Sequence, residues 1–193
     1  MPRTKEQNNA IKIEKKQKIM SIALHLFAED GYVHTSIEKI ATHAGISKGL
    51  MYSYFRSKDD LLREIIHKGA ETISGNLFPE NMSAEELIDG VEKMLDGIEA
   101  HKGFFKLYTA LSVQPGVSQK VGYIVDTNID FHHLIEYMQQ HCGDKAHEEV
   151  LLLSAIMKGY SLLALYGSSQ RLVSIEPLKE TIMNFIRERY SNI

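Results

Sequence analysis

The spacing of the apolar residues is the feature that most constrains the fold of this sequence. Ile19, Ile22, Ala23, Leu26 and Phe27 fall at positions i, i+3, i+4, i+7 and i+8, so they form one stripe on a helix. The same spacing recurs toward the C-terminus, interrupted by glycine, proline and capping residues. The alternating pattern of a strand is not found in the sequence. We therefore predict an all-α protein of about nine helices.

Short polar motifs predict where individual helices begin and end. Thr35 and Glu38 have the spacing of a capping box, in which each side chain satisfies a free backbone amide at a helix start. Gly31 is expected to end the first helix, and Gly45 is expected to form a tight turn. Pro177 suits the first turn of a last helix. These signals divide the chain into short helices joined by short turns.

Composition excludes several classes of protein. The chain has 193 residues, of which 44% are hydrophobic and 24% charged, values typical of a globular protein rather than a disordered or fibrous one. Its one cysteine, Cys142, rules out an internal disulfide and a four-cysteine zinc site. No apolar signal-peptide core follows the N-terminus. We therefore expect a cytoplasmic protein.

The net charge of −3 is distributed unevenly along the chain. Residues 1–58 carry a net charge of +5 and residues 59–193 a net charge of −8. A basic segment joined to an acidic one suggests that only the first meets a polyanion. Chance variation between small domains is the alternative, and charge alone favours it. Together with the motif at residues 36–53, the asymmetry predicts a nucleic-acid-binding domain over 1–58 and a second domain over 59–193.

Residues 36–53 have the pattern of a helix-turn-helix. A short helix is followed by a turn at Gly45 and by a second short helix that Ser47 can cap. The apolar positions that would lock the two helices together are Ile37, Ile40, Ala41, Ile46 and Met51. Such a pair suits duplex DNA, because the major groove admits one helix while the other crosses the backbone. The amides at the start of the second helix are expected to face phosphate.

The same region resembles a known family. The matching runs are Phe27-Ala28-Glu29-Asp30-Gly31-Tyr32, Thr35-Ser36-Ile37-Glu38-Lys39-Ile40-Ala41, Ala44-Gly45-Ile46-Ser47-Lys48-Gly49 and Tyr52-Ser53-Tyr54-Phe55 with Ser57, Lys58 and Leu61. Together they resemble the DNA-binding segment of the tetracycline-repressor (TetR) family of bacterial regulators. Met51 stands where that family often has leucine, and this exchange conserves volume.

The resemblance implies a homodimeric repressor that binds a palindromic operator and releases it when a small molecule enters the C-terminal body. It implies that Lys48 and Gly49 approach bases and that Leu50 reads sequence. Phosphate contacts are expected from Tyr52, Tyr54 and Lys58, with Thr35 or Ser36 joining them. The predicted DNA-binding set is Thr35, Ser36, Ser47, Lys48, Gly49, Leu50, Tyr52, Tyr54 and Lys58. Lys12, Lys15, Lys16 and Lys18 form either an arm along the DNA backbone or a solvated face.

The stretch Val150–Tyr166 is apolar nearly all round. It is shorter than the roughly 20 residues a membrane span needs, and Lys158 interrupts it. A helix that is apolar on every side is usually buried on every side, which suggests that a partner subunit covers part of it. Ala155 and Gly159 would let two helices approach closely. The family resemblance likewise implies a dimer interface formed by the last two helices.

A ligand cavity needs apolar walls and a few polar groups, and the helices between residues 101 and 138 offer both. The predicted ligand-binding set is His101, Phe104, Phe105, Tyr108, Tyr123, Phe131, His132, Met138, Met157 and Tyr160. Plain core packing is the alternative for any one of them. We expect an apolar or aromatic effector that carries a hydrogen-bonding group, and no cofactor.

Other functions are less well supported by the residues. His141, Cys142 and His147 lie near a helix junction, where they would meet in a metal-responsive regulator, whereas the adjacent His132 and His133 are expected to diverge on a helix.

An all-α hydrolase would use His101 or His132 with Asp126 or Asp130. The sequence has no nucleophile elbow, phosphate-binding loop or dinucleotide fingerprint. A pure interaction module would leave the basic segment unexplained. We therefore expect a protein that is not an enzyme.

Overall fold

A computed structural model describes residues 5–74, 77–112, 131–167 and 175–191. Within those ranges it contains nine α-helices, one short 3₁₀ turn and no strand, which confirms the prediction of an all-α fold. The chain forms two compact units, Met1–Lys68 and Gly69–Ile193. The predicted division at residue 58 concerns function, and it remains a prediction.

The first unit contains three helices and the beginning of a fourth. These are α1 (Lys5–Asp30), α2 (Ile37–Ala44), α3 (Lys48–Tyr52) and α4 (Lys58–Ser74), the last of which continues into the second unit. The predicted stripe on α1 faces the core, where Ala23 and Phe27 are fully buried. Ile40 of α2 and Met51 of α3 are also fully buried. This core fixes the two helices of the helix-turn-helix.

Backbone caps define the turns of the first unit. Gly31 follows α1 with a φ of 85°, and Gly45 ends α2 with a φ of 68°, as their positions predict. The predicted cap at Thr35 is wrong by one residue, because Ser36 caps α2 by accepting a hydrogen bond from Lys39 N at 3.1 Å. The buried Thr35 hydroxyl instead donates to Gly31 O, one of the free carbonyls at the end of α1.

The second unit is built around one central helix. Its helices are α5 (Ala84–Ala100), α6 (Lys102–Ser112), α7 (Phe131–Cys142), α8 (Ala146–Tyr166) and α9 (Glu176–Tyr190), and the 3₁₀ turn Gly143–Lys145 joins α7 to α8. Helix α8 packs against α5, α6, α7 and α9. Ser83 and Glu86 form a capping box at the start of α5, and Pro177 lies in the first turn of α9 as predicted.

Helix α8 is longer than the apolar stretch seen in the sequence. It has 21 residues, and the four that precede the apolar stretch are Ala146, His147, Glu148 and Glu149, so the apolar part of the helix is no longer than the sequence indicated. By length and composition alone, the segment Phe131–Tyr166 passes as a membrane span. That segment includes the 3₁₀ turn and the buried Glu149 carboxylate. One side of α8 is uncovered, with Leu151 55% exposed and Leu162 49% exposed.

A buried carboxylate ties the start of α8 to the end of α9. The Arg189 guanidinium donates from Nε to Glu149 Oε2 at 2.7 Å and from Nη2 to Oε1, while the Tyr190 hydroxyl donates to Oε2 at 2.7 Å. The hydrogen bonds from Arg189 have the largest effect and, together with the one from Tyr190, hold the pKa of Glu149 below its usual value. Burial acts in the opposite direction. The ionised carboxylate therefore stabilises the packing of the two helices.

We predict that Glu149→Gln lowers the free energy of unfolding at pH 7 by roughly 1–2 kcal/mol, because the charge-assisted hydrogen bonds from Arg189 are lost. The loss is no larger because Arg189 is partly exposed, which weakens its ion pair with Glu149. The folded-state pKa is depressed, so this stabilisation is present above the unfolded value of about 4.3 and is lost as pH falls through the folded value. Urea unfolding of both proteins across pH 3–7 measures the difference.

Glu148→Gln is the matched control, since Glu148 is exposed on the same turn of α8. It should change stability by less than about 0.5 kcal/mol. Equal losses in the two variants, or a loss for Glu149→Gln that does not shrink at low pH, would contradict the assignment.

Candidate nucleic-acid interface

Helix α3 presents most of its residues to solvent. Lys48, Gly49, Leu50 and Tyr52 are exposed, Leu50 by 38% and Tyr52 by 50%, while Met51 alone is fully buried. Lysine donates hydrogen bonds to base edges, and apolar side chains contact thymine methyl groups. The exposed side of α3 therefore combines the side-chain types that read a DNA groove.

The two glycines of the motif have different reasons to be glycine. Gly45 has a φ of 68°, which disfavours any side chain there. Gly49 has ordinary helical geometry, and a Cβ built on it meets no atom within 4 Å. The fold itself therefore gives no steric reason for glycine at position 49, and the predicted approach of Gly49 to DNA bases stays a prediction.

The other side chains of α2 and α3 that are predicted to contact DNA lie at the surface, where they already have hydrogen-bond or ion-pair partners within the protein. The Ser36 and Ser47 hydroxyls accept from Lys39 N and Leu50 N, each at 3.1 Å, so they act as caps. Lys48 Nζ lies 3.5 Å from Glu38 Oε2 in an exposed pair. Tyr54 is half-buried and lies beyond α3, because this helix ends at Tyr52.

Lys58 faces the protein in this structure. Its Nζ donates to Tyr32 O at 2.9 Å and to Thr35 O at 3.1 Å, and it lies 4.3 Å from the centre of the Tyr32 ring. The Tyr32 hydroxyl donates to Asp59, and burial together with that carboxylate raises the pKa of Tyr32. We call Tyr32, Thr35, Lys58 and Asp59 the turn latch, because they fasten the α1–α2 turn to the start of α4.

Sequence reasoning assigned Lys58 to phosphate and missed Tyr32 and Asp59. A signal was nonetheless present, since a cation at a helix start is unfavourable and requires a negative partner. Here the partners are the carbonyls of the α1–α2 turn.

The predicted ligand residues divide between core and surface. Phe104, Phe105, Met138 and Tyr160 are buried, Tyr108, Phe131 and Met157 are half-buried, His101 and His132 are exposed, and Tyr123 lies outside the described residues. Three of them contact one another, with the Phe104 ring 5.5 Å from Phe105 and stacked at 6.3 Å on Tyr108. Phe104 also covers Gly69 of α4, where an added Cβ would lie 2.1 Å from its ring.

Two clefts occur elsewhere in the second unit. One, of about 300 Å³, is lined by Glu92, Glu99, Glu176, Lys179, Glu180, Met183 and Arg187. The other, of about 20 Å³, is lined by Asn81, Met82, His133, Glu136, Tyr137 and Gln140. Within the described parts of the chain, neither is lined by a residue of the predicted set. The ligand-binding set therefore remains a prediction.

Tyr137 is a polar residue that sequence reasoning missed. Its hydroxyl is buried without a hydrogen-bond partner among the described residues, and burial raises its pKa. Its ring stacks on His141 at 4.1 Å. A buried hydroxyl without a partner is costly, so this atom is suited to a bound polar group or water.

The histidines are arranged differently from the expectation. The rings of His132 and His133 do not diverge but lie 4.0 Å apart, and His133 Nδ1 is 2.9 Å from Phe78 O. His141 Nδ1 is 2.9 Å from Tyr137 O, and the Cys142 thiol contacts Met138 Sδ. Across the ranges that are described, no three His, Cys, Asp or Glu side chains lie close enough to hold a metal ion. His141, Cys142 and His147 therefore do not form the metal site considered from the sequence.

The fold and the exposed side of α3 define a helix-turn-helix protein with a helical body. Residues 19–65 match the family model of bacterial regulatory proteins of the tetR family. This match covers the helix-turn-helix and the helices on either side of it, and it confirms the resemblance seen in the motifs of that segment.

Two relatives from Bacillus subtilis are named HTH-type transcriptional regulators. The chain is 28% identical to the HTH-type transcriptional regulator YuxN of Bacillus subtilis over 182 residues, which are 90% of this chain and 62% of YuxN. It is 47% identical to YerO of the same organism over 49 residues, 25% of this chain and 17% of YerO. The chain thus spans less than two thirds of the length of these relatives.

The likeness to solved structures extends over the fold. A transcriptional regulator from Aquifex aeolicus has a TM-score of 0.66 and 24% identity, with 91% of this chain and 99% of that chain covered. The fatty acid degradation regulator FadR from Bacillus halodurans has a TM-score of 0.69 and 16% identity, with 89% and 94% covered. At these identities the likeness establishes the architecture.

We predict that Lys58→Met destabilises the first unit by about 1–3 kcal/mol, because it removes a charged donor and leaves buried carbonyls without their partner. Thermal and urea unfolding of the full chain measure the loss. Lys39→Met is the matched control, since Lys39 forms only an exposed pair with Asp30 at 3.0 Å besides its backbone role. A Lys58→Met protein as stable as the control would contradict the latch.

Proposed function

We propose that this protein is a dimeric, ligand-responsive DNA-binding transcriptional repressor of the cytoplasm. The observation that carries the proposal is the exposed surface of α3, where Lys48, Gly49, Leu50 and Tyr52 surround the buried anchor Met51. The motif lies within a segment of net charge +5, as a polyanionic partner requires. We propose regulation rather than catalysis, since the family consists of transcriptional regulators.

In the proposed complex, α3 enters the major groove and α2 crosses the backbone with Ser36 at its start. Lys48 and Gly49 approach base edges, and Leu50 contacts a base and selects sequence. Tyr52 and Tyr54 reach phosphates. Lys58 is held by Tyr32 O and Thr35 O in the turn latch, from where it positions Ser36 and presents its charge to phosphate.

Dimerisation is supported by the uncovered side of α8. Leu151, Ala155, Gly159, Leu162 and Tyr166 follow at helical spacings of four, four, three and four residues, and all are exposed except the half-buried Gly159. Phe185 of α9 is 40% exposed. We propose that α8 and α9 pair with the same helices of a second copy, with Ala155 and Gly159 allowing close approach.

The effector is proposed to be a small apolar or aromatic molecule bound in the second unit. The predicted ligand residues of α6, α7 and α8 would form the walls of its binding site. The unpartnered Tyr137 hydroxyl is a further group that can form a hydrogen bond with the effector. Phe104 packs directly on Gly69 of α4, so a ligand that displaces Phe104 moves the helix that continues into the DNA-binding unit. The ligand releases DNA only if it binds the two conformations with different affinity.

We predict that the purified full chain enriches a palindromic sequence from fragments of its own genome. Leu50→Ala should change which fragments are selected, with about tenfold changes in relative affinity, as expected for one base contact of 1–3 kcal/mol. Gly49→Val should weaken binding to every duplex while leaving the unfolding curve nearly unchanged, because the protein itself has room for the side chain.

His25→Ala, at an exposed site on α1, serves as the control and should alter neither property. Selection of the same fragments by Leu50→Ala and wild type would contradict the assignment of Leu50. Failure of the wild type to bind any duplex at low ionic strength would contradict the proposed function.

We predict that Leu162→Glu converts a dimer into a monomer, because it places a charge in an apolar interface. Sedimentation velocity measures the change, and circular dichroism checks that the helices remain. Glu136→Lys on the exposed side of α7 is the control for an altered charge, and it should remain dimeric. A wild type that sediments as a monomer at tens of micromolar would contradict this interface.

A further inference from the structure

Helix α1 extends well beyond the core of the first unit. The N-terminal end of its buried stripe is Ile19, which is 2% exposed, while the helix itself begins at Lys5. These 14 residues add about 20 Å of helix at 1.5 Å per residue. Between residues 12 and 18 only Lys16 is half-buried, and the rest are exposed. The extension is therefore a helix segment with little support from packing.

Three lysines of this extension share one face. Lys12, Lys15 and Lys16 are spaced i, i+3 and i+4, and Ile19 follows at i+7, so the lysines continue the stripe that packs on the core. Lys16 is held at the edge of that core, with Nζ 3.0 Å from Glu64 Oε2 and 5.5 Å from the centre of the Phe55 ring. Phe55 lies three residues after the end of α3. The row of lysines thus starts beside the connection that follows the recognition helix.

Lys12 and Lys15 have no ion pair with any described residue, and their like charges repel each other along the helix. The segment 12–18 holds four lysines and a single acidic residue, Glu14. A helix that lies on a membrane or in a protein groove needs a continuous apolar side. Ile11 and Ile13 are two residues apart, about 200° around the helix, and do not form one. Charge complementarity therefore favours a phosphate backbone as the occupant.

We propose that the N-terminal extension of α1 is a second DNA-binding element, in which Lys12 and Lys15 bind backbone phosphates flanking the base pairs contacted by α3. This inference rests on the proposed function, because it assigns an additional contact to the same complex. Phosphate contacts add affinity and fix register without reading bases. The extension therefore increases the affinity for every sequence alike.

The test is the salt dependence of duplex binding by the full chain. Lys12→Ala/Lys15→Ala is compared with wild type by fluorescence anisotropy on the duplex selected from the genome, between 50 and 300 mM KCl. Each phosphate contact contributes about 0.9 to the slope of log K against log[salt], so the double variant should lower the slope by about 1.8 for each DNA-bound head. The preferred sequence should stay the same, and Lys12→Arg/Lys15→Arg should restore the wild-type slope.

Lys93→Ala/Lys102→Ala is the matched control, because it removes two exposed lysines from the second unit and changes the net charge equally. A slope for Lys12→Ala/Lys15→Ala that equals the wild-type slope, or an equal reduction in the control, would overturn the inference while leaving the proposed function standing. A change in sequence preference would overturn it as well. If the wild type binds no duplex, both the proposed function and this inference fail.

Discussion

The burial of Met51 is the contact on which the proposed DNA-binding surface depends. A helix of five residues has no stability of its own in water, so α3 is helical because its one buried side chain is held in the core of the first unit. With Met51 pointing inward, the helical geometry turns Gly49, Leu50 and Tyr52 away from the core, and Lys48 at the start of α3 is also exposed. The Ser47 cap and the left-handed Gly45 set where this short helix begins. The set of exposed side chains on α3 therefore follows from the buried Met51, the Ser47 cap and the turn at Gly45.

The turn latch fixes the position of the start of α2, as the burial of Met51 fixes α3. Lys58 and Asp59 at the start of α4 hold both the carbonyls of the α1–α2 turn and the Tyr32 hydroxyl. The Thr35 hydroxyl closes the turn from inside, which leaves Ser36 as the cap at the surface. Rigid placement of α2 and α3 matters for DNA recognition, because hydrogen bonds to base edges tolerate little displacement.

Sequence reasoning predicted the elements well and the contacts between them less well. Periodicity located the core stripe of α1, and glycine placed the turns at Gly31 and Gly45, because both signals act within a few residues. The cap at Ser36 was misplaced by one position because Thr35 has the same local chemistry, and only the burial of Thr35 against α1 separates them. The carbonyl partners of Lys58 were not predicted, because they lie more than 20 residues away in the chain.

The second unit was harder to interpret for the same reason. The apolar character of α8 was evident, but which side remains uncovered depends on its packing against four other helices. The aromatic residues of α6 and α7 were predicted to bind ligand, which stays a prediction, but their partners in the fold, such as Phe105 and Tyr108 around Phe104, could not be read from the sequence. The unpartnered Tyr137 hydroxyl gave no sequence signal, because an unsatisfied polar atom is a property of the packed structure.

Hydroxyl-radical footprinting of the full chain on its selected genomic duplex tests most directly whether α3 enters the groove twice in each assembly. The account predicts two protected half-sites on one side of the duplex, with centres about 10.5 base pairs or a multiple of that apart. A single unpaired patch of protection, or none at low ionic strength, would contradict it.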